Sequence, residues 1–136
     1  VATKELFGAI LTHFNVTNDF NTAVSGQLAA YKAENAPSFP HAVFTLISDD
    51  PEYTFTGNNL EVALMQFSIY DNKAAIGTVQ DAQQKLWDLF DDAVITMAGF
   101  TQLAFIRGQT LLKRGEVDRP EIWASHTVYE ITFQKT

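Results

Sequence analysis

Residues 60–90 read LEVALMQFSIYDNKAAIGTVQDAQQKLWDLF, and two hydrophobic periods meet inside them. Along 60–70 the apolar residues alternate. Ala63, Met65, Phe67 and Ile69 fall on one face, with Val62, Leu64 and Tyr70 on the other. Successive side chains of a strand point to opposite faces, so this stretch reads as a strand apolar on both faces, the pattern of a central strand. From Thr78 the step changes to three and four. Val79, Ala82, Leu86, Leu89 and Ala93 make one apolar stripe, while Gln80, Gln84, Lys85, Asp88 and Asp91 face away. This predicts an amphipathic helix from about Thr78 to Ala93. Thr78 followed three residues on by Asp81 predicts a capping box at its start.

The rest of the chain supplies what such a strand and helix need. Upstream, HAVFTLIS is rich in β-branched and aromatic residues and reads as a strand over 42–48, ended by Asp49-Asp50-Pro51. EYTFT then leads to Gly57-Asn58-Asn59, residues that accept positive φ and suit a tight turn. Leu6, Ala9, Ile10 and Phe14 recur at helical spacing and predict a first helix over about residues 3–14. NVTNDFNTAVSG reads as a polar connection, QLAAYKA as a short extended segment or a helical turn, and the two prolines of ENAPSFP stop either. Downstream, TQLAFIRGQTLLK and EIWASHTVYEITF read as two strands, over 102–113 and 122–134, paired through the charged loop RGEVDRP. In the last strand Tyr129, Ile131 and Phe133 share one face; His126, Glu130 and Thr132 share the other. The predicted fold is a single α+β domain over residues 1–136. Its antiparallel or mixed sheet has four to five strands with helices packed on one face, in the order α-β-β-α-β-β.

Composition excludes several function classes. A chain of 136 residues that is 46% hydrophobic can bury a core without disulfide or metal support, and it contains no cysteine. Sixteen acids against nine bases give a net charge of -7, which opposes binding driven by phosphate neutralisation. No apolar run is long enough to cross a membrane. The opening VATKELFGAILTHF carries Glu5 and His13 within its apolar run and reads as an amphipathic helix rather than a leader peptide.

Catalytic and metal motifs are sparse. His13, His41 and His126 sit on a helix, at the start of a strand and within a strand, and form no ligand pair. Asp49, Asp50 and Glu52 lack the ligand spacing of a calcium loop and read as a turn. There is no glycine-rich phosphate loop and no Gly-x-Ser-x-Gly. The reading is therefore no enzyme, no metal and no cofactor. Charge layout is more informative. No Lys or Arg lies between Lys32 and Lys73, whereas six acids do, Asp49 and Asp50 among them. Arg107, Lys113, Arg114 and Arg119 then place four of the nine bases within thirteen residues, interleaved with Glu116 and Asp118. The second long helix ends on Asp88, Asp91 and Asp92, at the end of the helix dipole that disfavours anions. This polarity predicts a contact in which the basic loop of one subunit meets the acidic surface of the next, with Arg107, Lys113, Arg114, Glu116, Asp118, Arg119, Asp49, Asp50, Asp91 and Asp92 as interface candidates. Such a head-to-tail contact closes into a ring when the rotation permits.

The layout resembles the tail terminator proteins (tail-completion, head–tail joining) of long-tailed bacteriophages, prophages and gene transfer particles. The residues that carry the resemblance are the opening helix ELFGAILTHF, the proline-led strand FPHAVFTLIS, the strand-then-helix core EVALMQFSIYDNKAAIGTVQDAQQKLWDLF, and the polar loop VDRPEIW feeding the last strand HTVYEITF. The resemblance covers nearly the whole chain and implies a homo-oligomeric ring, commonly a hexamer, located at the head–tail junction of a virion assembled in the host cytoplasm. It implies as partners the tail tube protein and the head-connector or stopper protein, with DNA passing through the lumen without specific binding. It implies no enzyme activity, no cofactor and no membrane partner. Two other readings compete. One is a cone-shaped α+β enzyme or small-ligand binder using His126 and Glu130 as a base and its partner; the other is a ferredoxin-like dimerisation module.

Overall fold

The computed structural model describes residues 3–16, 18–31, 38–54, 57–116 and 119–135, with the backbone alone described for residues 3, 52–54, 57–59, 116 and 119–121. Its elements are α1 (Thr3–Phe14), α2 (Asp19–Ala23), β1 (Leu28–Ala30), β2 (His41–Thr54), β3 (Gly57–Asp71), α3 (Gly77–Phe90), β4 (Phe100–Glu116) and β5 (Arg119–Lys135). The five strands form one sheet in the order β1-β2-β3-β5-β4. β1 runs parallel to β2 and every other pairing is antiparallel. The α+β class and the helix–sheet arrangement are as the sequence predicts. β3, apolar on both faces, lies between β2 and β5 in the middle of the sheet.

One face of the sheet is the core. Ala63, Met65, Phe67 and Ile69 of β3 join Tyr129, Ile131 and Phe133 of β5, Phe44 of β2 and Phe105 of β4, all buried. The helices cover them with Leu6, Ile10, Phe14, Phe20, Val79 and Leu86. Phe90, the last residue of α3, is the hub. Its ring lies 4.6 Å from Phe67, 5.7 Å from Phe105, 6.3 Å from Tyr129 and 5.4 Å from the His13 ring of α1. The helix stripe therefore closes on Phe90, while Leu89 is only half-buried.

The structure corrects several sequence expectations. The polar connection after α1 contains the short helix α2. Asn18 caps it by accepting the Asn21 N–H at 2.7 Å, and the Asn18 and Asn21 side-chain amides both donate to the Phe14 carbonyl, closing the end of α1. One buried apolar residue, Phe20, anchors this turn, too few to show a period in sequence. The ambiguous QLAAYKA contains the three-residue strand β1. Asp49-Asp50-Pro51 does not end β2, which continues to Thr54 after a register shift between Leu46 and Ser48. Among the described residues β1 pairs with β2 only at residues 42–44, so no described strand pairs with Pro51 on that side, where its missing N–H costs no ladder bond. Gly57-Asn58-Asn59 belongs to β3, with Gly57 opposite Thr54, so these residues lie in a strand and not in the predicted turn. The helix starts at Gly77 and has no side-chain cap; Asp81 pairs instead with Lys85 at 2.9 Å. It ends at Phe90, not Ala93. β4 and β5 run past the predicted 102–113 and 122–134 to Glu116 and back from Arg119; residues 117–118 of the charged loop lie outside the described residues.

The end of α3 is fastened to the sheet by polar groups. The buried Tyr129 hydroxyl donates to Asp91 Oδ1 at 2.7 Å, and Asp91 Oδ2 lies 3.6 Å from Arg107. Burial, reinforced by the Asp91 carboxylate, raises the Tyr129 phenol well above its ordinary value. Because the folded phenol holds its proton more tightly than the unfolded one, this contribution is complete below about pH 10 and is lost as pH rises beyond it. Tyr129→Phe should therefore flatten the alkaline fall in stability and cost about 0.5–1.5 kcal/mol at neutral pH, both measured by urea melts. Leu86 is fully buried in the same cluster as Phe67. Leu86→Ala should cost roughly 2–5 kcal/mol, and a loss well under 1 kcal/mol in denaturant melts would contradict its place in the core.

Candidate assembly interface

The ten interface candidates occupy three places. Arg107 and Asp91 face each other within one chain, and the Arg107 guanidinium also stacks 3.9 Å above the Trp87 ring. Both are used internally, so their charges act first on the α3–sheet junction. Asp92 has a positive φ of 54° and its N–H donates to the Phe105 carbonyl at 3.2 Å. Lys113 and Arg114 are exposed near the far end of β4, with Arg114 5.4 Å over the Trp123 ring. Glu116 and Arg119 are register partners across the β4–β5 hairpin; their side chains, and Asp118 altogether, lie outside the described residues.

The acidic candidates Asp49 and Asp50 are on β2. Asp50 is exposed. Asp49 is half-buried and hydrogen-bonded to Glu61 on the neighbouring strand; burial first, then Asp49, pushes the Glu61 carboxyl upward. The acidic strand and the basic strand do not meet within one chain. Order β1-β2-β3-β5-β4 separates β2 from β4 by three strand spacings, about 14 Å.

Two stretches of sheet edge are left uncovered among the described residues. The outer edge of β4 is capped over its first half by the 91–99 connection. Asp92 bonds Phe105, Gln102 bonds the backbone of Ala93 and Ile95, and Met97 forms a bridge with Phe100. Beyond about residue 106 no described segment covers it. The outer edge of β2 is covered by β1 at residues 42–44, and by Tyr31, whose N–H donates to the Phe44 carbonyl; from Thr45 onward no described segment pairs with it. Ile47 on the open part of β2, and Ile106 and Leu111 on the open part of β4, are each half or more exposed. Nothing in the sequence pattern sets these residues apart from core residues. The signal that could have separated them is length: the strands are longer than the helices can cover.

The opposite face of the sheet carries a polar groove of about 450 Å³, lined by Gln66, Tyr70, Gln109, Leu111, Lys113 and His126 among others. His126 Nδ1 lies 2.7 Å from the Ser68 hydroxyl and 3.2 Å from the Gln66 amide. A serine–histidine pair can activate an oxygen nucleophile, but Ser68 is only 4% exposed and lies under the groove rather than in it. Glu130 stands four residues along β5 from His126, too far along an extended strand to be its hydrogen-bond partner. His13 bonds the Leu89 carbonyl at 3.0 Å and helps hold α1 on α3. His41 is buried between Phe39 and Tyr70; burial lowers its affinity for a proton, partly offset by a hydrogen bond with the Ser38 backbone. Among the described residues no group of three or more His, Asp or Glu side chains is placed to hold a metal, and no helix is long and apolar enough to cross a membrane.

No protein-family model and no curated protein matches the sequence. Solved structures do match the fold. A chain of the virion of a native gene transfer agent particle is similar at a TM-score of 0.79 with 13% identity, over 98% of this chain and 98% of its own. A second solved chain is similar at a TM-score of 0.56, also with 13% identity, over 100% of this chain and 96% of its own. At such identity the likeness is one of fold, and it extends from end to end.

Proposed function

We propose that this protein is a structural virion component that forms a ring, commonly a hexamer, at the head-proximal end of a phage-like tail. There it ends the tail tube and joins it to the head connector or stopper. The observation that carries this reading is the end-to-end fold likeness, at a TM-score of 0.79, to a chain of a gene transfer agent virion. The resemblance of the sequence to tail terminators points the same way. Composition supports it: a ring of subunits each carrying -7 gives DNA phosphates little to hold, which suits a lumen that DNA must cross without sticking. The hairpin end around Arg114 and Arg119 offers charges of both signs for docking, and the function requires no catalytic group.

Light scattering on the purified protein tests the ring directly, with an expected assembly mass about six times the 15.2 kDa subunit. In particle assembly reactions, omitting the protein should leave heads and tails unjoined. Reversing Arg114 and Arg119 together to Glu should weaken ring formation or docking while leaving the melting temperature of the subunit near that of the parent. A double variant that assembles and joins heads to tails like the parent would reduce the hairpin charges to solvated surface.

A further inference from the structure

The polar groove on the sheet face away from the helices is built from three successive levels of β3, β5 and β4. At one end Tyr70, Ala124 and Lys113 are register partners across the strands. Ala124 has no exposed surface and the shortest side chain of the three, so it makes a floor between Tyr70 and Lys113. In the middle, His126 stands between Ser68 and Leu111. At the other end Gln66 faces Val128, and β4 is bulged, with Gly108 and Gln109 together set against Val128 alone. A bulge re-aims the side chains around it, and here Gln109 joins the groove lining. Glycine suits the bulge, because a Cβ at Gly108 would lie 3.3 Å from the Val128 carbonyl oxygen.

The central histidine is held in one tautomer. The Gln66 side-chain nitrogen can only donate, and it reaches the Ser68 hydroxyl at 3.1 Å and His126 Nδ1 at 3.2 Å. With the Ser68 hydroxyl 2.7 Å away, Nδ1 accepts. The uncharged ring then carries its proton on Nε2, at the tip that stands farther from the sheet. Tyr70 is fixed beside it, its ring 5.6 Å from the His41 ring and 6.1 Å from that of His126. One end of the groove therefore combines an imidazole N–H, a phenol and the Lys113 ammonium, and the other end has two side-chain amides. Leu111 and Val128 supply apolar surface, and none of the described lining residues is an acid. The volume of about 450 Å³ is that of a ligand site.

We infer that this groove binds an acidic residue of a polypeptide. The carboxylate sits at the Lys113, Tyr70 and His126 end, its methylenes lie against Leu111 and Val128, and the adjoining peptide group meets Gln66 and Gln109. An ammonium flanked by neutral donors, with no competing acid in the described lining, selects a carboxylate. The glutamine amides offer both donor and acceptor, which is the complement of a peptide group. The site does not depend on the ring reading, because every group that builds it comes from one chain.

The probe is N-acetylglutamate N-methylamide, a glutamate with a peptide group on either side, titrated into isotope-labelled protein at fixed pH and ionic strength. Amide resonances of residues 66–70, 109–113 and 124–128 should shift together with a common dissociation constant, while those of α1 and α3 stay in place. The uncharged glutamine analogue should bind at least about tenfold more weakly. Lys113 is exposed, so Lys113→Met should leave the fold intact and weaken the glutamate probe about tenfold. Lys135→Met, at the far end of β5, should leave binding unchanged, which separates the groove from a general attraction to positive charge. Equal binding of the two analogues, or a Lys113→Met variant that binds like the parent, would overturn the site. Glutarate or inorganic phosphate moving the same resonances with equal affinity would overturn the peptide assignment in favour of a small free anion.

Discussion

The ring of Phe90 is the point on which the two layers of this protein depend. It ends α3, and it touches aromatic rings of β3, β4 and β5 as well as His13 of α1. A helix that crosses a sheet buries most where its stripe meets the central strands, and here the stripe finishes in an aromatic cluster rather than in open space. The next residue, Asp91, takes the Tyr129 hydroxyl and faces Arg107, so chain direction changes at a position already fixed from below. The carboxylate at the negative end of the helix dipole, unfavourable when read alone, is offset by a buried hydroxyl donor and a guanidinium. The connection that leaves this point then lies along the first half of β4 and covers its edge. One packing contact thereby also determines how much sheet edge remains open.

Much of the fold was legible because two periods of side-chain burial, two and near four, cannot be confused over ten or more residues. The alternation in β3 and the stripe in α3 had only one arrangement that buries both. The parts that were not legible are those where local chemistry competes with tertiary cover. Asp49-Asp50-Pro51 looks like a strand end by composition, yet an edge strand tolerates a proline and exposed acids that a central strand does not. Thr78 and Asp81 have the spacing of a capping box, but Asp81 takes Lys85, and the first turn of α3 does without a side-chain cap. Helix α2 depends on capping by Asn18 and on one buried ring, which leave no periodic trace.

Of the candidate interface, the separation of charge was visible in sequence and its spatial meaning was not. Ten residues were grouped because they were charged and clustered along the chain. In three dimensions Arg107 and Asp91 neutralise each other, while Asp50 and Arg114 lie on strands at different places in the sheet order. The pattern in sequence could not separate an internal pair from an outward charge, because that distinction depends on strand order. Exposed apolar residues such as Ile47 and Leu111 were equally indistinguishable from core residues until the reach of the helices was known.

The division of labour between the two faces explains how two chains can share this fold at 13% identity. The helix-covered face demands apolar residues at fixed intervals, and many combinations of Leu, Ile, Val, Met and Phe satisfy that demand at similar volume. The open face and the two sheet edges carry no such requirement from folding. Gln66, Tyr70, His126 and Glu130 can change without disturbing the buried side of the same strands, since a strand sends alternate residues to opposite faces. Folding stability therefore constrains the period of burial and leaves the edges and loops free to vary. A sequence comparison registers residue identities, whereas a comparison of backbones registers the period, so the second finds a likeness of fold where the first finds little.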